Sequence, residues 1–352
     1  MRKSLSWALL VFLLLAACRQ RHSDSRVPPA IPDEPQYNIP EIDSLTERIR
    51  KDPNNPEHYF RRHQAFLNHD DPRRAFQDLS MAIALDSSAL HYYDAMAELA
   101  LKTGAAQAAV KAYQQLLQRN PSDKQAVIKL SKVYYLQKDY THSLLQLARA
   151  EELDPSDAEI WFIRGLNLKE MQDTVRAIAA FQKAVSLKPE FYDAYIQLGL
   201  LHSTRPSSLA ALYYDNAIRL DSTSTEAYYN KGKFFQDRAL RAFDARRFDE
   251  AHQDFEQAKA IYRQLISISP QYEPAYFNLG FIYAKQDSLD KAYRMFDLAI
   301  KMNPAYAEAY YYRGLMALQK GNRQQAEADF RQCISLKPDF EKAAAELKQL
   351  PQ

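Results

Sequence analysis

The apolar positions of this chain keep a beat. A large residue stands at Tyr59, Tyr93, Val127, Trp161, Tyr195, Tyr228, Tyr276 and Tyr310. Four places on come His63, Ala97 and Ser131, then Gly165, Gly199, Gly232, Gly280 and Gly314. A second run carries Ala75, Ala109, Ser143, Ala177, Ala210, Ala258, Ala292 and Ala326. Four residues later stand Leu79, Tyr113, Leu147, Phe181, Tyr214, Tyr262, Phe296 and Phe330, and three further on Ala82, Leu116, Ala150, Ala184, Ala217, Leu265, Ala299 and Cys333. Spacings of 3 and 4 put such residues on one helical face, with polar residues on the other. Each unit is therefore two amphipathic helices joined by a short turn. Ser87, Pro121, Pro155, Pro189, Ser222, Pro270, Pro304 and Pro338 close the units, at spacings of 34, 34, 34, 33, 48, 34 and 34 residues.

Five of the seven glycines share one column, and Gly104 and Gly321 fall together in the turn of their units. Glycine in mid-helix costs about 1 kcal/mol, so a close approach by a neighbour must require it. The stretch AEIWFIRGLNLKEMQDTVRAIAAFQKAVSLKP, with Trp161, Gly165, Ala177, Phe181, Ala184 and Pro189, resembles the tetratricopeptide repeat. The resemblance covers about residues 56–338, eight repeats in phase. It implies an all-α fold, an α-solenoid of eight helical hairpins wound as a right-handed superhelix with a groove. Residues 41–55 read as a leading helix on Ile42, Leu45 and Ile49, and 339–350 as a capping helix. His63 departs from the small-residue column and puts close packing there in doubt. His202 stands at a core position and is expected to pack locally. The histidines lack metal-ligand spacing.

One repeat breaks the period. Between Tyr228 and Pro270 the chain is fourteen residues too long, and the excess divides as seven and seven about the turn RRFDEA. Seven residues make almost two turns, so each arm keeps its phase. The expectation is a lengthened hairpin over 225–272. Phe235, Ala239 and Ala242 continue one stripe and Phe248, Ala251 and Phe255 the facing one, with ion pairs Asp237–Arg241 and Arg246–Glu250 along the arms. Leu240, Phe243 and Phe248 make its tip a partly apolar knob, a second contact site for a partner or for self-association. The preceding repeat is one residue short, and Pro206 ends its first helix.

The first residues do not follow the beat. MRKSLSWALLVFLLLAAC has a basic start and an apolar run from Trp7 to Ala17, too short to span a bilayer and suited to a signal peptide over 1–17. Leu15-Ala16-Ala17-Cys18 resembles a bacterial lipobox, which implies cleavage before Cys18 and its lipidation, palmitate included. Arg19, where a retention aspartate would stand, leans toward the outer membrane. Residues 18–40, with Pro28, Pro29, Pro32, Pro35 and Pro40, read as an extended tether, so the repeat domain is 41–352.

Charge and chemistry narrow the function. Of 46 bases, cleavage removes Arg2 and Lys3, leaving as many as the 44 acids, so no basic field argues for nucleic acid. Cys333 is then the one cysteine besides the lipidated Cys18, and no intramolecular disulfide forms. There is no glycine-rich phosphate loop, HExxH, paired-cysteine metal motif or nucleophile elbow, so neither enzyme activity nor a cofactor is expected. Beside the core columns, the first helices carry a stripe of Phe162, Leu166, Ile196, Leu200, Tyr229, Phe277, Phe281, Tyr311 and Leu315, interrupted by Lys233. The matching places in the first two repeats are Phe60, Gln64, Asp94 and Glu98. The stripe reads either as a groove for a partner's helix or peptide, or as packing between hairpins. Asn230 and Asn278 resemble groove asparagines of peptide-binding members, but the lysines that clamp a C-terminal carboxylate are not at matching places. The expected function is a non-catalytic, lipid-anchored scaffold of a bacterial envelope that binds proteins. The alternative is a surface lipoprotein that binds glycan, although such proteins resembling this one carry large insertions.

Overall fold

Each apolar run becomes a helix because its stripe is continuous and its ends are marked by residues that leave the helix. The computed structural model describes residues 37–204 and 209–350. These form 18 helices and no strand. Helix α1 (Pro40–Lys51) leads, followed by α2 (Pro56–Asn68), α3 (Pro72–Leu85), α4 (Leu90–Lys102), α5 (Ala106–Arg119) and α6 (Lys124–Leu136). Then come α7 (Tyr140–Leu153), α8 (Ala158–Glu170), α9 (Thr174–Leu187), α10 (Tyr192–Ser203), α11 (Leu209–Leu220), α12 (Thr225–Asp244) and α13 (Phe248–Ile268). The last are α14 (Glu273–Lys285), α15 (Leu289–Met302), α16 (Ala307–Gln319), α17 (Arg323–Leu336) and α18 (Glu341–Gln349). The signal segment, Cys18, most of the tether and Pro206 lie outside the described residues.

The helices fall into two compact units, one up to Gln137 and one from Lys138. Within each unit the second helix of a hairpin packs on the first helix of the next. In the second unit α10 touches α12 and α14 touches α16, so these first helices share one layer. The fold is the all-α stack of hairpins that the columns predict. The leading helix buries Ile42, Leu45 and Ile49, while α18 buries only Ala343 and closes the stack with a largely polar face.

The turns are built alike. Asp71, Asp139, Asp173 and Asn322 each cap a second helix through the side-chain oxygen, which accepts a backbone N–H of its first turn. Just before the cap, Asp70, Gly104, Lys138, Gln172, Arg246, Asp287 and Gly321 adopt positive φ. The cap N–H then donates five residues back, as from Asp71 to Phe66 O (2.9 Å), Arg247 to Ala242 O (2.8 Å) and Asn322 to Ala317 O (2.8 Å).

The columns have separate reasons. A Cβ added at Gly165, Gly199 or Gly232 would sit 2.6, 2.4 or 2.7 Å from the ring of Phe181, Tyr214 or Tyr262 on the facing helix. The small column is thus the seat of the aromatic column. His63 fits there because the residue sixteen places on is Leu79, smaller than a ring; both are buried. The opening column favours an aromatic with a polar tip, because Tyr59, Tyr93, Trp161 and Tyr276 each donate to the carbonyl six residues back, in the preceding turn, at 3.1, 3.2, 3.4 and 2.9 Å.

The long repeat obeys the same rules twice. Helix α12 has 20 residues where α14 has 13, and α13 has 21 where α15 has 14. Gly232 and Tyr262 meet near the base, 30 residues apart. Two turns further out, Ala239 and Phe255 are both buried, at the regular separation of sixteen, and Arg246 turns the chain seven residues after Ala239, as Asp70, Gln172 and Gly321 do after His63, Gly165 and Gly314. The extra helix therefore lies between two complete sets of hairpin contacts. Three expectations are corrected. Phe248 does not join the inner stripe; it is 57% exposed, because it follows the turn by only two residues. Asp237 pairs with Lys233 rather than Arg241. Glu250 pairs with Arg247, at 2.8 Å, rather than Arg246.

Candidate interaction face

The stripe on the first helices of the second unit is neither bare groove nor sealed core. Phe162, Leu166, Tyr229, Phe277, Phe281 and Leu315 are half-buried and Leu200 is 37% exposed. Ile196 and Tyr311 are buried, at 2% and 8%, and drop out of the groove set. Ile196 is enclosed beside Tyr214 and Phe234, and Tyr311 by Phe330 and Phe340.

The half-buried rings are paired in a way the helix-face pattern does not show. Phe162 packs on Phe191, with ring centres 4.7 Å apart, Tyr229 on Tyr272 at 5.7 Å and Phe277 on Tyr306 at 5.0 Å, and the buried Tyr311 packs on Phe340 in the same way at 5.1 Å. The partner always stands at the N-cap of the next first helix, or at that place before α18. The separation is 29 residues, or 43 across the long hairpin. Each rung therefore staples one repeat to the next, and the rings of the first three rungs stay partly exposed. Sequence reading missed Phe191, Tyr272, Tyr306 and Phe340, since they lie before their helices begin; the constant interval of 29 is the signal that finds them. Phe281 joins the ladder through Tyr312, 5.7 Å away.

The two groove asparagines separate. Asn278 is buried and donates to Pro274 O at 2.9 Å, within its own helix, so it is not offered to a ligand. Asn230 is half-buried. His202 is buried against the Tyr213 ring at 5.2 Å. His63 is buried too, and burial lowers its pKa to about 4 while its Nδ1 bonds to Phe60 O.

In the first unit the matching places carry polar chemistry. Phe60, Gln64, Asp94 and Glu98 line a cleft of about 420 Å³ with His91 and Lys102. Lys129 spans Asp94 and Glu98, both at 2.8 Å, and ties the wall together. No group of three or more metal-ligating side chains occurs among the described residues.

The knob residues divide as well. Leu240 is half-buried against the core of the long hairpin, while Phe243 is 40% exposed and meets Phe248 edge to face at 5.5 Å.

Tetratricopeptide-repeat models match residues 95–158, 158–191, 243–316 and 307–340. The chain carries tetratricopeptide repeats. A crystal structure of the C-terminal part of a tetratricopeptide-repeat protein from Cytophaga hutchinsonii, 16% identical, covers 74% of this chain and 100% of its own with a TM-score of 0.60. The MamA protein is 25% identical over 55% of this chain and 98% of its own, with a TM-score of 0.43. Among curated proteins, anaphase-promoting complex subunit 3 of Schizosaccharomyces pombe is 22% identical over 204 residues, 52% of this chain. The chain spans about a third of that subunit's length (31%). Tetratricopeptide repeats thus account for the beat.

Proposed function

We propose that this protein is a non-catalytic scaffold of a bacterial envelope, held to the outer membrane by lipid on Cys18, that binds partner proteins along the first helices of its second unit. The observation that carries the reading is the half-exposed ladder of Phe162, Tyr229, Phe277 and their ring partners. Partly exposed rings already fixed by their neighbours bind a peptide or helix with little further ordering, and ordering is a main cost of association. The curated relative is by its name a subunit of a complex, in keeping with a role in assembly. Phe281→Ala, at the open edge of the ladder, should weaken capture of partners from detergent-solubilised membranes. Its stability should fall by less than the about 3–5 kcal/mol of a truncated core aromatic. A loss of that full size would make Phe281 a packing residue and remove the groove. Lipidation is tested separately: Cys18→Ser should abolish labelling by palmitate and release the protein from membranes.

A further inference from the structure

Two carboxylates stand close in the chain to the rings of the second rung: Glu226 lies three residues before Tyr229 on α12, and Glu273 comes just after Tyr272. Glu226 lies 3.4 Å from the Tyr192 hydroxyl. Glu273 accepts from Asn303 Nδ2 at 3.1 Å. Neither carboxylate has a cation partner among the described residues, whereas Glu308 is held by Lys337 at 3.1 Å. The lysines nearby on the first helices are engaged: Lys231 with Asp215 at 2.6 Å, Lys233 with Asp237, and Lys285 over the Phe281 ring.

Resting on the reading of this face as a protein-binding groove, we infer that its occupant is a partner segment bearing lysine or arginine, with cations seated between the Tyr229, Tyr272 and Tyr306 rings and the carboxylates of Glu226 and Glu273. A half-buried phenol face attracts a cation through its ring quadrupole, and an adjacent unpaired carboxylate adds Coulomb attraction. An acidic segment would meet repulsion from both. The electrostatics agree: burial, then Tyr229, Glu273 and Glu226, raise the Tyr272 pKa, and burial, then Tyr229, Glu308, Glu273 and Tyr272, raise that of Tyr306.

Three fluorescein-labelled peptides of equal length, with alanine alternating with lysine, glutamine or glutamate, test this by anisotropy on the full chain in detergent. The lysine peptide should bind best and weaken as salt rises from about 50 to 300 mM, a range over which screening shortens. The variant Glu226→Gln/Glu273→Gln should lose at least about tenfold of that affinity with its thermal melt unchanged, about 1.4 kcal/mol. Equal or tighter binding of the glutamine or glutamate peptide overturns the inference, as does lysine-peptide binding that the double variant leaves intact. If the glutamine peptide binds and Phe281→Ala weakens it, the groove stands and only its charge preference falls. If no peptide binds, the inference fails, and with it this face as a peptide groove.

Discussion

Arg238 and Asp254 face each other across the long hairpin sixteen residues apart, as Arg62 and Asp78 do near the start of the chain and Arg313 and Asp329 near its end. In all three the arginine precedes the small-column position and the aspartate precedes the residue that packs on it, so the pair is a polar clasp beside the apolar one. What differs is solvent. The Arg62 and Asp78 side chains are 4% and 6% exposed, whereas Arg238 is 37% exposed. Removing Asp78 strands a buried guanidinium, so Asp78→Ala should cost about 3–5 kcal/mol in urea unfolding. Arg238 can turn to water, so Asp254→Ala should cost only about 1 kcal/mol. Hydrogen exchange in that variant should quicken over 241–252 and nowhere else; equal costs for the two substitutions would show that exposure does not set their difference.

The glycines divide into two kinds, and alanine tells them apart. At Gly199 a Cβ would meet Tyr214 ring atoms at 2.4 Å, so Gly199→Ala should push the ring out of its seat and cost about 1–3 kcal/mol, the usual penalty of overpacking. Gly321 has open space around it but a φ of +79°, so Gly321→Ala should cost about 1–2 kcal/mol through backbone strain alone. Pairing each with a ring truncation separates the causes. Tyr214→Leu should recover part of the loss at Gly199, and Phe330→Leu should recover none at Gly321.

The long hairpin should be shortenable, but only in both arms together. Deleting residues 233–239 and 255–261 leaves Gly232 and Tyr262 sixteen apart and keeps the turn around Arg246. Far-UV circular dichroism per residue and the cooperativity of unfolding should stay as in the full chain. Deleting either segment alone misaligns the facing columns by about 10 Å, given 1.5 Å per residue. That variant should unfold in a broader transition at lower denaturant. A single deletion as stable as the double one would mean that the arms are not in register.

Acid should act through His63. Its pKa in the fold, about 4, lies below the ordinary 6.5 because burial disfavours the cation. Between those values the unfolded chain binds a proton that the folded chain refuses, so stability is full above pH 6.5 and falls as pH drops toward 4. The slope contribution is about 1.4 kcal/mol for each pH unit between the two values. His63→Leu should flatten the urea-midpoint profile between pH 6.5 and 4 relative to the parent chain. An unchanged slope would place the acid sensitivity elsewhere.

Most of the fold could be read from the chain because its cues are periodic and local to a helix. The small column, the ring column and the turn repeat often enough that a break of fourteen residues is visible and its equal division can be measured. The face was harder. Ile196 and Tyr311 share a helical face with Phe162 and Phe277, yet neighbouring side chains cover the first two more completely, and helical spacing carries no information about what stands opposite. Tyr272 and Tyr306 sit at N-caps, outside any helical period, so the ladder they complete is invisible to a pattern of threes and fours. Charge pairing followed the same logic. Arg238 bonds across the hairpin to Asp254, a link set by tertiary register rather than by neighbours along one helix.

The doubled clasp of the long hairpin also constrains how such an element can arise. A growth step in one arm alone would leave two turns of helix with no partner and the turn set against the wrong level. Steps of three or four residues in both arms would rotate the facing stripes in opposite error from one turn to the next. Paired heptads avoid both problems, at about 20° of drift per step. The reach of this arm is therefore adjustable only in units of about 10 Å, like a ladder extended by whole sections.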